Sequence, residues 1–280
     1  MLRPANPSVA LMVTCLVDTI RPAVGWASVK LLEDAGCRVS VPSQTCCGQP
    51  NWNSGDKKGA AALARTMIAA LEGRDYVVVP SGSCAATVIK DYPAMFPDDP
   101  GWRARAEDLA GRTHEIVSFL TDVMGVEAVR AQCPARATYH DSCSGLRSLG
   151  VKDQPRCLLA SVEGLELTEM AEPEVCCGFG GTFCVKYPDI SNKMVSGKTD
   201  DIAGTGADLV LAGDLGCLMN MGGKLSRQGK AIKARHVVEV LAGIEGPAIG
   251  EAESAERNQP VRSADRTRAE TTVATHTPVE

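Results

Sequence analysis

The sequence predicts an α/β protein of two tandem, pseudo-symmetric βαβ-type cysteine-rich domains with mostly parallel sheets. Three observations predict it. Apolar, β-branched runs of strand length alternate with stretches of helical periodicity. The alternation occurs twice along the chain. Eight of the 12 cysteines fall at matching places in the two copies.

In the first half the strands are expected at Ser8 to Thr14, Arg38 to Pro42 and Tyr76 to Pro80. Helices are expected from about Val24 to Ala35 and from Lys57 to Glu72. After a Pro- and Asp-rich stretch from Asp91, Thr113 to Met124 reads as a helix with Ile116, Phe119, Leu120 and Val123 on one face. The second half repeats the pattern. Its strands are expected at Ala137 to His140, Leu165 to Glu169 and Leu209 to Ala212, and its helices at Gln154 to Val162 and Ile190 to Gly204. Gly213 to Gly229 and Ala234 to Leu241 read as closing helices. Strands alternating with helices imply parallel βαβ units. The expected division is residues 1–130, residues 131–246 and a disordered tail over 247–280. The tail has few aliphatic residues and no aromatic ones, too little apolar surface to offset its ordering entropy.

Composition narrows the function classes. With 29 Lys and Arg against 34 Asp and Glu, the net charge is −5. Nucleic acid is therefore not the expected partner, because phosphate binding relies on clustered cations. No apolar run approaches the 18 or so residues of a membrane span, so the chain is not expected to span a membrane. The longest, Val9 to Val17, is broken by Thr14, stopped by Asp18 and followed by no small-residue cleavage site. The expected compartment is the cytoplasm.

The cysteines carry the chemistry. One block runs Cys15, Cys46-Cys47-Gly48, Cys84; the other runs Cys143, Cys176-Cys177-Gly178, Cys217. Each key cysteine follows a predicted strand. In a parallel sheet all carboxyl ends lie on one edge, where open α/β folds bind ligands. Thiols remote in sequence are thus expected to converge, four at a time. Disulfides fit poorly, since a bridge between adjacent cysteines is strained and the cytoplasm is reducing. Zinc is open to a four-cysteine site, although the chain has no C-x₂-C pair. An iron–sulfur cluster suits soft thiolate donors, although the closely spaced ferredoxin run is absent. A non-catalytic zinc scaffold or redox sensor is the competing function class.

Longer motifs surround these cysteines: TCLVD at Thr14 to Asp18, CCGQP at Cys46 to Pro50 and PSGSC at Pro80 to Cys84. The second half has HDSCSGLRSLG at His140 to Gly150, CCGFGGTFCVKYP at Cys176 to Pro188 and GDLGCLMN at Gly213 to Asn220, followed by RHVVEVL at Arg235 to Leu241. With them the chain resembles the CCG (cysteine-rich domain) iron–sulfur family over about residues 8 to 243. That family includes the cysteine-rich subunit of heterodisulfide reductase and the glycolate oxidase iron–sulfur subunit. The resemblance is greatest to its lactate-utilization branch. It implies an oxidoreductase subunit that transfers electrons in the oxidation of L-lactate to pyruvate. It also implies a larger ferredoxin-type iron–sulfur subunit and a third, smaller subunit as partners. A thiol- and disulfide-handling subunit like that of heterodisulfide reductase is the alternative. The resemblance makes Cys15, Cys46, Cys47, Cys84, Cys143, Cys176, Cys177 and Cys217 the metal ligands, holding two 4Fe–4S clusters. Where relatives carry a fifth cysteine, this chain has Thr87 and Asn220.

Gly48 and Gly178 are expected to take positive φ so that two adjacent side chains face one site. Gly178, Gly180 and Gly181 offer backbone N–H groups to cluster sulfurs. His140 is a candidate proton carrier beside the second centre, and Lys186 a candidate catalytic cation there. Arg147 is a second cation near that centre. Cys37 and Cys157 read as buried small hydrophobes, Cys133 as a loop thiol and Cys184 as a packing residue.

Overall fold

The structure, a computed structural model, describes residues 4–251. The first sheet holds β1 (Ser8–Leu11), β2 (Arg38–Ser40), β3 (Tyr76–Val79) and β4 (Thr113–Glu115) in the order β2-β1-β3-β4. The second holds β5 (Gln132–Tyr139), β6 (Glu163–Leu167), β7 (Leu209–Ala212) and β8 (Lys233–His236) in the order β6-β5-β7-β8. Every pair is parallel, and the two orders are the same order repeated. The α/β class and the doubled parallel sheet are therefore as the sequence predicts.

Helices α1 (Cys15–Ile20), α2 (Pro22–Asp34), α3 (Gln49–Asn53), α4 (Lys57–Leu71), α5 (Gly82–Ala86) and α6 (Pro100–Gly111) link the first four strands. After β4 comes the short α7 (Ile116–Ser118), which runs into a π-helical turn over Phe119–Val123. The second half carries α8 (Cys143–Leu149), α9 (Asp153–Leu159), α10 (Phe183–Lys186), α11 (Pro188–Gly204), α12 (Leu215–Arg227) and α13 (Val237–Leu241).

Two expected helices start instead as strands. Thr113–Glu115 pairs with β3, and Lys233–His236 pairs with β7. Each is a short edge strand of its sheet, and the apolar helical face begins only after it. Backbone pairing with a buried neighbour overrides the local period. The expected tail also begins too early. Ile249 N–H donates to the Ala234 carbonyl, Arg21 reaches the Pro247 carbonyl, and Ala248 is buried. Residues 252–280, the remainder of that expectation, lie outside the described residues.

The strands alternate between two cores, as period-2 side chains must. Val9, Leu11 and Val78 of the first sheet and Ala137, Tyr139, Leu209 and Leu211 of the second enter one shared core with α2 and α13. The opposite faces are separate. Ala10, Met12, Val77 and Val79 pack under α4, and Val210 and Ala212 pack under α11 and α12. The halves thus share their inner faces and keep private outer ones. A buried ion pair ties them further: Arg21 meets Glu239 at 2.9 Å.

Candidate metal centres

Each quartet is assembled at the carboxyl edge of its sheet. Cys15 opens α1 directly after β1, and Cys143 opens α8 after β5. Cys84 lies in α5 after β3, and Cys217 in α12 after β7. Cys46-Cys47 and Cys176-Cys177 sit in the loops that follow β2 and β6. Chain reversal at a sheet edge thereby brings each set of four together.

The sulfurs meet. Cys47 and Cys84 lie 3.5 Å apart. A hydrogen bond with Cys46 pushes the Cys15 thiol well up, and the same bond, with help from Cys47, pulls Cys46 down. In the second quartet a hydrogen bond with Cys176 pushes Cys143 up. Cys176 pulls Cys177 down, but Cys217 and burial outweigh it and push it up. Close packing thus opposes ionisation of Cys15, Cys47, Cys143 and Cys177. A soft cation or cluster, which demands thiolates, is the charge that lets them ionise.

The adjacent cysteines turn inward because of the glycine behind them. Gly48 has φ 84° and Gly178 has φ 80°, the left-handed region that a side chain disfavours. The Gly48 N–H points at Cys46 Sγ at 3.5 Å, and the Gly178 N–H at Cys176 Sγ at 3.4 Å. Behind each pair a polar side chain pins the second cysteine's carbonyl. Tyr92 Oη donates to the Cys47 carbonyl at 3.0 Å, and Asn220 Nδ2 to the Cys177 carbonyl at 2.8 Å. Asn220 stands where a fifth cysteine would, and here it serves the backbone. Thr87, its counterpart, bonds the Ser83 carbonyl.

The halves touch at the centres. Asp214, at the start of α12, accepts from Ser83 N–H at 3.0 Å and from Ser81 Oγ at 3.2 Å, while its other oxygen accepts from Gly216 N–H. Ser83 precedes Cys84, and Asp214 lies one helical turn before Cys217. One carboxylate thus spans the helix starts of both quartets, a contact that no sequence motif announces. A cavity of about 210 Å³ opens beside the first quartet. The four cysteines form one wall, and Phe179, Gly181, Thr182, Val185, Asp214 and Leu215 of the second half form the other.

Several candidates are placed differently from the sequence expectation. Gly181 borders the first centre's cavity. The Gly180 carbonyl accepts from Phe183 N–H in a turn. Lys186 is exposed and donates to Ser54 Oγ of the first half at 3.0 Å. Arg147 is exposed and bonds the Glu174 carbonyl. His140 is fully buried, and burial pushes its pKa down to about 3, which disfavours the charged imidazolium. Neither ring nitrogen makes a well-formed hydrogen bond, although the Pro173 carbonyl is close enough to interact with the ring. One ring nitrogen and the Cys177 and Cys217 sulfurs all lie within 4.8 Å of one another. Cys37 is buried, but Cys157 is exposed and Cys133 lies within β5 rather than in a loop. Cys184 is half-buried, with its thiol on the Gly181 carbonyl.

Sequence reasoning passed over Lys198. Its side chain is wholly buried, bonded to the Glu172 carbonyl and 3.7 Å from Asp201. Burial pushes its pKa down, while the Asp201 carboxylate and nearby Cys177 push it up. A lysine inside an amphipathic helix reads as solvated surface, so no local signal marks it.

The donor set fits an iron–sulfur cluster on two counts. All eight candidate ligands are soft sulfurs. The first quartet also borders a cavity several times the ~30 Å³ share of one water, more room than a single ion needs. Two parallel sheets, each with a four-cysteine pocket at its carboxyl edge, define a tandem cysteine-rich-domain protein. A family model described as "CCG: Cysteine-rich domain" matches residues 9–89 and 137–222. Lactate utilization protein A of an Exiguobacterium species is 50% identical over 238 residues, covering 84% of this chain and 97% of that protein. The protein of that name from Geobacillus kaustophilus is 50% identical over 234 residues, covering 83% and 98%. The chain belongs to the CCG cysteine-rich domain family, in the group of lactate utilization protein A. A hypothetical protein from Helicobacter pylori has a similar fold, with a TM-score of 0.54 at 11% identity, over 88% of this chain and 52% of that one. Among the described residues no helix is long and apolar enough to cross a membrane.

Proposed function

We propose that this chain is an iron–sulfur electron-transfer subunit in the oxidation of L-lactate to pyruvate, with one 4Fe–4S cluster on each cysteine quartet. The observation that carries the proposal is the meeting of two four-thiol pockets across the Ser83–Asp214 contact. When bound, such a cluster supplies one-electron oxidation and reduction. The chain's own residues then do the following. Cys15, Cys46, Cys47 and Cys84 hold one cluster, and Cys143, Cys176, Cys177 and Cys217 the other. Gly48 and Gly178 direct an N–H at a ligating sulfur, which favours added negative charge there.

The cavity beside the first quartet bears the Asp214 carboxylate and apolar walls from Phe179, Val185 and Leu215. That lining opposes an anion such as lactate. The chain therefore relays electrons, and the hydroxy acid is bound by a partner. A larger ferredoxin-type iron–sulfur subunit and a third, smaller subunit are the proposed partners, in the cytoplasm.

Zinc has one spacing in its favour. Two thiolates on a tetrahedral zinc at about 2.3 Å stand close together, as Cys47 and Cys84 do at 3.5 Å. Metal analysis separates the readings. Anaerobically purified or reconstituted protein should hold about eight iron atoms, roughly four for each quartet. Cys176→Ala should remove about half the iron and half the visible absorption. Stoichiometric zinc with no iron would rule the proposal out.

A further inference from the structure

The two halves can be superposed residue by residue through their hydrogen bonds. Met12 N–H donates to the Val78 carbonyl, and His140 N–H donates to the Leu211 carbonyl, in the same place on the two sheets. Val78 pairs with Leu11, and Leu211 with Tyr139. His140 is thus the counterpart of Met12. The outer helices align in the same way. A Cβ on Gly48 would meet the Ala60 carbonyl, and one on Gly178 the Ser191 carbonyl. From that anchor the buried faces of α4 and α11 run in step: Ala64 with Val195, Met67 with Lys198, Ile68 with Thr199, Leu71 with Ile202.

The outer core behind the first quartet is therefore apolar where the second is polar. Ala10, Met12, Met67 and Ile68 become Thr138, His140, Lys198 and Thr199, all of them buried. Thr138 Oγ1 lacks a hydrogen-bond partner among the described residues, and the His140 ring makes no well-formed hydrogen bond beyond its approach to the Pro173 carbonyl. A buried polar group without a full partner forfeits its hydration with nothing in return, so it destabilises the fold. The first half fills the same places in the same fold with alanine, methionine and isoleucine, so packing alone does not require these groups. Two of them lie by the quartet: His140 beside the Cys177 and Cys217 sulfurs, and the Lys198 ammonium close enough to interact with Cys177 and His140.

We propose that the two centres are built to be unequal: His140 and Lys198 make the second centre the electron acceptor, and the methionine-backed first centre the donor. This rests on the iron–sulfur reading above. A cluster ligated by thiolates gains one negative charge on reduction. A buried cation and a neutral imidazole able to donate its N–H both stabilise that added charge, whereas methionine side chains do not. In the transfer, one electron leaves the first centre and one enters the second. No covalent bond changes and no proton is exchanged. The electron reaches the first centre from a reduced one-electron carrier.

The test is a redox titration of the reconstituted full chain, followed by electron resonance. Wild type should show two separate one-electron steps. Cys177→Ala should remove the upper step and Cys47→Ala the lower. Lys198→Met should shift the upper reduction equilibrium by about tenfold or more, which is about 59 mV for one electron, and leave the lower step in place. His140→Met should move the upper step the same way, and Lys198→Arg should restore it. Coincident wild-type midpoints, loss of the lower step in Cys177→Ala, or a Lys198→Met shift confined to the lower step would each overturn the proposal. Coincident wild-type midpoints overturn the proposal even if a variant misfolds. A chain that takes up no reducible iron would bring down the function reading and this inference with it. Two equal clusters would bring down this inference alone.

Discussion

Glu115 shows how one buried carboxyl sets a pH response. It ends β4, is fully buried, and accepts from the N–H groups of Val117 and Ser118. Burial outweighs those bonds and pushes its pKa from 4.5 up to about 7. In the unfolded chain it ionises near the lower value. Between the two the folded state binds more protons, so stability falls as pH rises through that window and levels off above it. Glu115→Gln keeps an oxygen for the two N–H groups and removes the buried charge. The variant should unfold with a flatter pH profile from 5 to 7, and at pH 8 be more stable by about 1–3 kcal/mol in urea titrations. A second residue-scale contrast lies in the two Cys-Cys-Gly turns. A Cβ on Gly178 would stand 2.8 Å from the Ser191 carbonyl, while one on Gly48 stands 3.4 Å from the Ala60 carbonyl. Both share the positive φ, so Gly48→Ala should cost roughly 1 kcal/mol and Gly178→Ala clearly more. Equal midpoints in denaturant would contradict that ranking.

At the scale of elements, the short helices α5 and α8 matter more than their length suggests. Each presents a centre's cysteine, and they meet at Gly82 and Gly145. A Cβ on Gly82 would lie 2.9 Å from the Gly145 backbone, on both its N and its Cα. Backbone cannot yield as a flexible side chain does. Gly82→Ala should therefore push α5 from α8, strain the Ser83–Asp214 hydrogen bond, and lower iron content at both quartets. Loss of iron from neither would show that the centres tolerate a looser junction. The edge strands β4 and β8 were hidden at this scale. They are as short as β3 and β7 but read Thr-His-Glu and Lys-Ala-Arg-His rather than as a continuous apolar run, and the apolar helix that follows each one dominates the local period.

At the scale of the whole molecule, the halves are repeats in sequence but not independent in folding. Leu11, Val17 and Val24 of the first share a core with Leu211, Val237 and Leu241 of the second. The Arg21–Glu239 pair is buried across the same junction. Residues 1–130 or 131–251 expressed alone would expose that face to water. Each should be insoluble or lack a cooperative unfolding transition, and co-expression should restore both. A half that folds cooperatively by itself would refute this.

The sequence by itself determined the α/β class, the doubling, and which eight cysteines recur in register. Hydrophobic period and residue spacing are local quantities, and they survive without coordinates. It also marked Gly48 and Gly178, because a turn behind paired side chains leaves few residue types able to serve. Only the tertiary structure decided that Asp214 joins the two helix starts, that Gly181 faces the other half's cavity, and that Lys198 is interior. Those facts depend on which surfaces two sheets bury against each other, and a one-dimensional pattern carries no record of the partner a side chain meets.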